Sequence, residues 1–236
     1  MRTTPPFRAD HVGSLLRPPQ VLAARDDFAA GRIDAAALRA IEDAAISEAV
    51  AMQEGVGLQS ATDGEFRRAS WHMDFIYRLE GISKESGHLA VKFFNEAGEI
   101  EFTPAALHVG GRLGVAETIF GDDFEFLKSC VTRAVPKLTI PSPSMVHYRG
   151  GKASIDEDVY PDIDSFWADL TAAYAEEVAR LGELGCRYLQ FDDTSLAYLN
   201  DPHQREYVLA IGGDPERQHV EYIGHINEAL ASRPDG

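Results

Sequence analysis

The stretch "RYLQFDDTSLAYL", Arg187 to Leu199, runs from an apolar, strand-like segment into two adjacent acids and then two hydroxyl residues. Two like charges at the end of a strand mark either a turn cap or a working site. The arrangement recurs along the chain. "HVGS" at 11–14, "ATDGEF" at 61–66, "TIPSPS" at 139–144 and "QFDDTS" at 190–195 each place unusual polar residues at the C-terminal end of a predicted strand. Amphipathic helices separate these strands, which implies parallel β-structure with right-handed crossovers. A doubly wound sheet gathers its site at a switch point, often beside a glycine fingerprint, and neither GxGxxG nor GxxxxGK[ST] occurs here. Sites at the carboxyl ends of successive strands are the habit of barrels. The expected fold is therefore α/β, of the (β/α)8 TIM-barrel type.

The helices follow from spacing. "PPQVLAARDDFAAG" reads as a short helix with prolines at its start and Gly31 after it. From Asp34 as N-cap, Leu38, Ile41, Ala45, Ala49 and Met52 fall on one face, and Gly55 stands at the stop. Asp123 is expected to cap a helix with Phe124, Leu127, Val131 and Ala134 inward. A helix from Asp164 carries Phe166, Leu170, Tyr174, Val178, Leu181 and Leu184 and stops at Gly185. A last helix is expected from Asp214 and Pro215, burying Val220, Ile223 and Leu230. Residues 88–118 break the alternation: "HLAVKFFNEAGEIEF" and "ALHVGGRLGV" read as a β-hairpin insertion.

These pieces supply four barrel-type strands and a hairpin, whereas a barrel needs eight strands in ~250 residues. Residues 1–236 are therefore expected to be a single incomplete barrel domain, the first half to two thirds of the fold. A longer protein or another chain would complete it, and the open sheet edges invite self-association or a complementing chain.

Composition narrows the partners. With 38 acidic and 22 basic residues the net charge is −16, which disfavours nucleic acid and anionic membrane surfaces and leaves a small molecule as the expected partner. No apolar run approaches the ~18 residues of a membrane span, and the start has no signal-peptide core, so the expected location is cytoplasmic. Cys130 and Cys186 form no CxxC pair and read as structural thiols.

Four stretches, "HVGSLLRP", "DGEFRRASWHMDF", "KLTIPSPSMVHYRGG" and "LGCRYLQFDDTSLAYL", resemble the catalytic-domain family of cobalamin-independent methionine synthase, within the uroporphyrinogen-decarboxylase-like barrels, and most of all its short single-barrel members. The resemblance covers nearly the whole chain and the N-terminal part of such a protein. It implies zinc-dependent transfer of a methyl group from a methyltetrahydrofolate-type donor to the thiol of homocysteine, in methionine biosynthesis. It also implies that Glu65 and Asp192 grip the substrate ammonium, and that Val12, Gly13 and Ser14 meet its carboxylate. Zinc is the implied cofactor, its ligands being expected beyond Gly236 and none in this chain. No catalytic residue is assigned. The residues alone leave alternatives open: Asp192 or Asp193 as a turn cap, Glu65 as a surface ion pair with Arg68, and His11, His72 and His147 as structural. Two departures stand out. "SPSMVHYRGG" lacks the family's tryptophan, and "QFDDTS" replaces Gln-x-Asp-Glu-Pro-Ala. A thiol alkyltransferase of the epoxyalkane–coenzyme M type, or a catalytically incompetent fragment or assembly partner, is the alternative expectation.

Overall fold

The structure is a computed structural model that describes residues 5, 7, 9–85, 91–95, 98–102, 106–148 and 150–234. The chain forms α1 (Pro19–Ala29) and α2 (Ala35–Gly55), then the short strand β1 (Ser60–Ala61) and one helical turn, α3 (Met73–Ile76). An antiparallel excursion follows, in which β2 (Glu80–Glu85) is succeeded by the hairpin β3 (Val91–Asn95) and β4 (Gly98–Phe102), and then by β5 (Ala106–Gly114), which pairs back onto β2. Next come α4 (Gly121–Cys130), β6 (Val135–Pro141), α5 (Ser144–His147) and α6 (Ile163–Glu183). β7 (Tyr188–Asp192), α7 (Ser195–Tyr198), α8 (Pro202–Ala210) and α9 (Gln218–Ala229) complete the described elements.

The organising sheet has the order β1-β6-β7, all parallel, with Ser60 opposite Val135 and Thr139 opposite Gln190. Side chains alternate across a strand. Leu138 and Ile140 of β6 therefore enter a core with Phe166, Leu170, Tyr174 and Leu181 of α6, while Lys137 and Thr139 take the other face. A second apolar cluster, with Val21, Ile46, Val50, Ala61 and Leu127, packs α1, α2 and α4 around β1. The described residues form an open parallel α/β sheet with β7 at its edge, not a closed barrel. Among them no helix is long and apolar enough to cross a membrane.

Several elements differ from the sequence-based expectation. The "HVGS" strand is an extended segment joined to the end of β1 by one parallel bridge, Ser14 to Gly64. Its would-be neighbour is already occupied: the Gln53 side-chain amide accepts from Thr62 N at 3.0 Å and donates to Thr62 O at 2.9 Å. Gln53 is thus the inward residue of the last turns of α2, and Met52 is turned out, 49% exposed. α4 starts two residues before Asp123 and ends at Cys130, so Val131 lies beyond it as an extended C-cap. Asp162, not Asp164, caps α6 through Ser165 N. The final helix begins at Gln218. Asp214 caps only a turn, through Glu216 N, and Val220 and Ile223 point outward while Tyr222 and Ala229 are buried. The buried face of α9 is rotated from the one its apolar spacing predicts, because Tyr222 hydrogen-bonds inward to Gln218 and His147. α8, capped by Asp201, was not anticipated. The antiparallel excursion sits where the hairpin was expected but starts earlier, at Glu80.

The entry into β6 depends on one carboxylate. Glu54, in the last turn of α2, accepts from the consecutive amides of Thr132, Arg133 and Ala134 and from the Thr132 hydroxyl. The Thr132 hydroxyl, aided by the three amides, holds the Glu54 carboxyl at about 2, well below its ordinary 4.5. A depressed carboxyl stabilises the fold above its unfolded value, and that contribution is lost as pH falls toward 2. Glu54→Gln is expected to cost about 1–3 kcal/mol at neutral pH. In urea denaturation, the gap between the two proteins should close progressively as pH drops below about 4.5.

Candidate functional site

The inner face of the sheet is polar from end to end. At its base the Lys137 ammonium, fully buried, pairs with Asp10 Oδ2 at 3.2 Å and donates to the His11 carbonyl. Asp10 also accepts from Ser60 Oγ at 2.8 Å and from the Tyr188 hydroxyl, so this one residue is tied to β1, β6 and β7 together. Burial pushes the Asp10 carboxyl up, but the Tyr188, Ser60, His11 and Lys137 donors outweigh it and hold the group low.

One layer above, side chains grip the turn at residues 12–14. Gln190 Nε2 donates to the Val12 carbonyl at 2.8 Å, and Thr62 Oγ1 donates to the Gly13 carbonyl at 2.6 Å. Gly13 has φ +138°, and a Cβ there would lie 2.6 Å from the Thr139 methyl. Val12 and Ser14 are exposed while Gly13 is buried. Among the described residues, the amides of Val12, Gly13 and Ser14 meet no acceptor.

The turn after β1 forms the upper layer. Gly64 and Glu65 are both left-handed, at φ 67° and 59°, and for Glu65 this is a strained backbone of the kind found at functional sites. The strain is held from outside. Arg17 donates to the carbonyls of Glu65 and Arg68, and Arg25 to those of Phe66 and Arg68. The Glu65 carboxylate accepts from Thr139 Oγ1 at 2.7 Å and lies 3.5 Å from Arg68 Nη1. Arg68 in turn donates to Thr139 at 3.2 Å and lies over the Phe120 ring at 4.2 Å. The expected Glu65–Arg68 pair exists, but it is buried, with each side chain only 3% exposed.

Asp192, at the end of β7, faces the same space and is half-buried. Burial raises its carboxyl, Gln190 Nε2 at 2.5 Å opposes that rise, and the nearby Glu65 charge adds to it. Two carboxylates from two strand ends thus converge, and Arg68 pairs with that of Glu65. Asp193, next to Asp192, plays a different part, accepting from Ser142, Ser144 and Ser195 hydroxyls and from Leu196 N. Asp193 ties the loop after β6 to the turn after β7.

The structure brings Val12, Gly13, Glu65 and Asp192 to one end of one sheet face, with Ser14 bridged to Gly64 beside them. Sequence reasoning assigned no role to Thr62, Thr139 or Gln190, and gave Arg68 only that of an ion-pair partner for Glu65. A usable signal was present: parallel strands covered on both faces read as continuous apolar runs, whereas Lys137, Thr139, Tyr188, Gln190 and Asp192 alternate with Leu138, Ile140, Leu189 and Phe191.

Three histidines each hydrogen-bond a side chain nearby in the fold. His11 Nε2 meets Gln53 Oε1 at 2.8 Å and His72 Nδ1 meets Ser70 Oγ at 3.1 Å. His147 Nδ1 meets the Tyr222 hydroxyl at 2.9 Å, and burial pushes that ring down to about 4. Trp71 packs against the main core. Among the described residues no group of three or more His, Cys, Asp or Glu could hold a metal ion. Cys186 is pushed up to about 11 by burial, which leaves it a poor thiolate.

No protein-family model matches the chain. It is 41% identical over 230 residues to the uncharacterized protein YxjH of Bacillus subtilis, covering 98% of this chain and 59% of that protein. A structure from Listeria monocytogenes, described as the "Putative Vitamin-B12 Independent Methionine Synthase", superposes with a TM-score of 0.78 at 38% identity, over 98% of this chain and 63% of that one. The methionine synthase of Pyrococcus furiosus is 28% identical over 168 residues, 70% of this chain and 44% of that protein. The chain spans about three-fifths of the length of the first two and less than half of the third.

The turn at Gly13 offers a direct test of this packing. Gly13→Ala forces a side chain into a left-handed backbone and against Thr139, and is expected to cost about 1–3 kcal/mol in chemical denaturation. Adding Thr139→Ser removes the obstructing methyl and should recover part of the loss, the backbone share remaining.

Proposed function

We propose, from the chain's kinship with the cobalamin-independent methionine synthases, that it supplies the amino-acid grip of an S-methyltransferase acting on homocysteine, in a barrel completed by further strands beside β7. The observation that carries this reading is the convergence of Glu65 and Asp192 on one polar sheet face beside the turn at Val12, Gly13 and Ser14. An α-amino acid presents an ammonium and a carboxylate on one carbon. The ammonium seeks carboxylates and the carboxylate seeks N–H donors, and both are placed best on rigid strand ends. Glu65, paired with Arg68, and Asp192 supply the first; the three amides of the 12–14 turn supply the second. A thiol bearing only an anionic group, as coenzyme M does, would face both carboxylates with Arg68 already engaged, so the ammonium-bearing thiol is the better fit.

Kinship implies a zinc ion that lowers the pKa of the acceptor thiol. The described residues do not assemble a ligand set for it. This chain's part is to bind the amino-acid end, orient the thiol and exclude water from the grip. The methyl donor is proposed to be of the methyltetrahydrofolate type, on the resemblance alone.

Titration calorimetry with L-homocysteine tests the reading. Glu65→Gln and Asp192→Asn are each expected to weaken binding by about tenfold or more, since each removes a charge-assisted contact. Unchanged affinity in both variants would sink the assignment.

A further inference from the structure

We propose that Gln190 is a positioning residue that couples the two ends of the ligand grip, its side-chain amide holding the Val12 carbonyl with one N–H and the Asp192 carboxylate with the other. The inference rests on the reading of the strand ends as an α-amino acid site and adds to it a residue that need not touch the ligand. The distances are 2.8 Å to Val12 O and 2.5 Å to Asp192 Oδ1, and a primary amide has two hydrogens to give, so both are spent.

The consequence for the turn follows from peptide geometry. In a trans peptide the C=O and the following N–H point in opposite directions. Holding the Val12 carbonyl against Gln190 therefore turns the Gly13 N–H away from β7. Thr62, by holding the Gly13 carbonyl, likewise turns the Ser14 N–H away from the end of β1. The direction of two amides is set by side chains from strand ends, not by the turn alone.

At the other end, Gln190 and Asp192 are two apart on β7 and share its inner face. Their place is fixed by register, Thr139 opposite Gln190 and Pro141 opposite Asp192. Burial and the Glu65 charge favour the neutral form of Asp192; Gln190, Arg68 and Lys137 favour the ionised form that an ammonium requires. Of these, Gln190 is the one that hydrogen-bonds the Asp192 carboxylate directly. A carboxylate in place of Gln190 would repel Asp192, and an apolar side chain would release both partners.

The test is calorimetric titration of L-homocysteine into the protein and its Gln190→Met variant, from about pH 4 to about pH 8, with Gln190→Leu substituted should the first variant fail to fold. The expected result is binding about tenfold weaker at neutral pH, with the acid limb of the affinity profile moved to higher pH because Asp192 has lost its donor. Weaker binding with the acid limb in place would assign Gln190 to packing and overturn the proposal, as would an unchanged profile. If the unsubstituted protein does not bind L-homocysteine, the amino-acid reading fails by itself. Carbon-13 NMR titration of the Asp192 carboxyl then decides the inference: a higher titration pH in the variant supports it, and an equal or lower one overturns it.

Discussion

A lysine ammonium with no access to water must find its counter-charge inside the fold, and the Lys137–Asp10 pair is the constraint on which the sheet's inner face depends. Among the described residues 9–14, the one backbone bridge is Ser14 to Gly64. Asp10 is held because Lys137, Ser60 and Tyr188 all direct donors at its carboxylate. That one cluster brings the extended N-terminal segment alongside three strands, and so delivers residues 12–14 to the strand ends. Neutralising Asp10 would leave the fully buried Lys137 ammonium without its counter-charge, which is why the pair is better understood as a registration device than as a source of net stability.

Side-chain amides do the work of missing strand neighbours in two places. Gln53 takes both backbone groups of Thr62, and Gln190 takes the Val12 carbonyl. Each replaces a ladder hydrogen bond with one from a side chain that also reaches something else, His11 in the first case and Asp192 in the second. The backbone around the site is thereby free of regular pairing where a ligand would need its N–H groups. The strained Glu65 turn fits the same logic, since the Arg17 and Arg25 guanidinium groups satisfy its carbonyls and hold it in a conformation the chain would not choose alone.

Much of the scaffold was legible from periodicity. The face of α6 with Phe166, Leu170, Tyr174 and Leu181 is buried as its spacing requires, and the acids of "QFDDTS" do stand at the end of a parallel strand. Of the two acids that could cap the turn, Asp193 is the one that braces the loop. Where the structure departs from the periodicity, polar residues take inward places. Gln53 displaced Met52, and Gln218 with Tyr222 rotated α9 away from Val220 and Ile223. Hydrophobic spacing carries no information about a buried amide that is satisfied by a partner far along the chain.

The sequence by itself determined the succession of helices and parallel strands, the polar character of the strand ends and the kinship those motifs carry, because these depend on local spacing and residue type. Only the tertiary structure decided which polar groups meet. Glu65 joined to Arg68 through Thr139, Gln190 spanning Val12 and Asp192, and Lys137 finding Asp10 are contacts between residues as far as 178 positions apart. Such contacts arise from strand register and from the cost of burying an unpaired charge, and both are settled only once the sheet has formed.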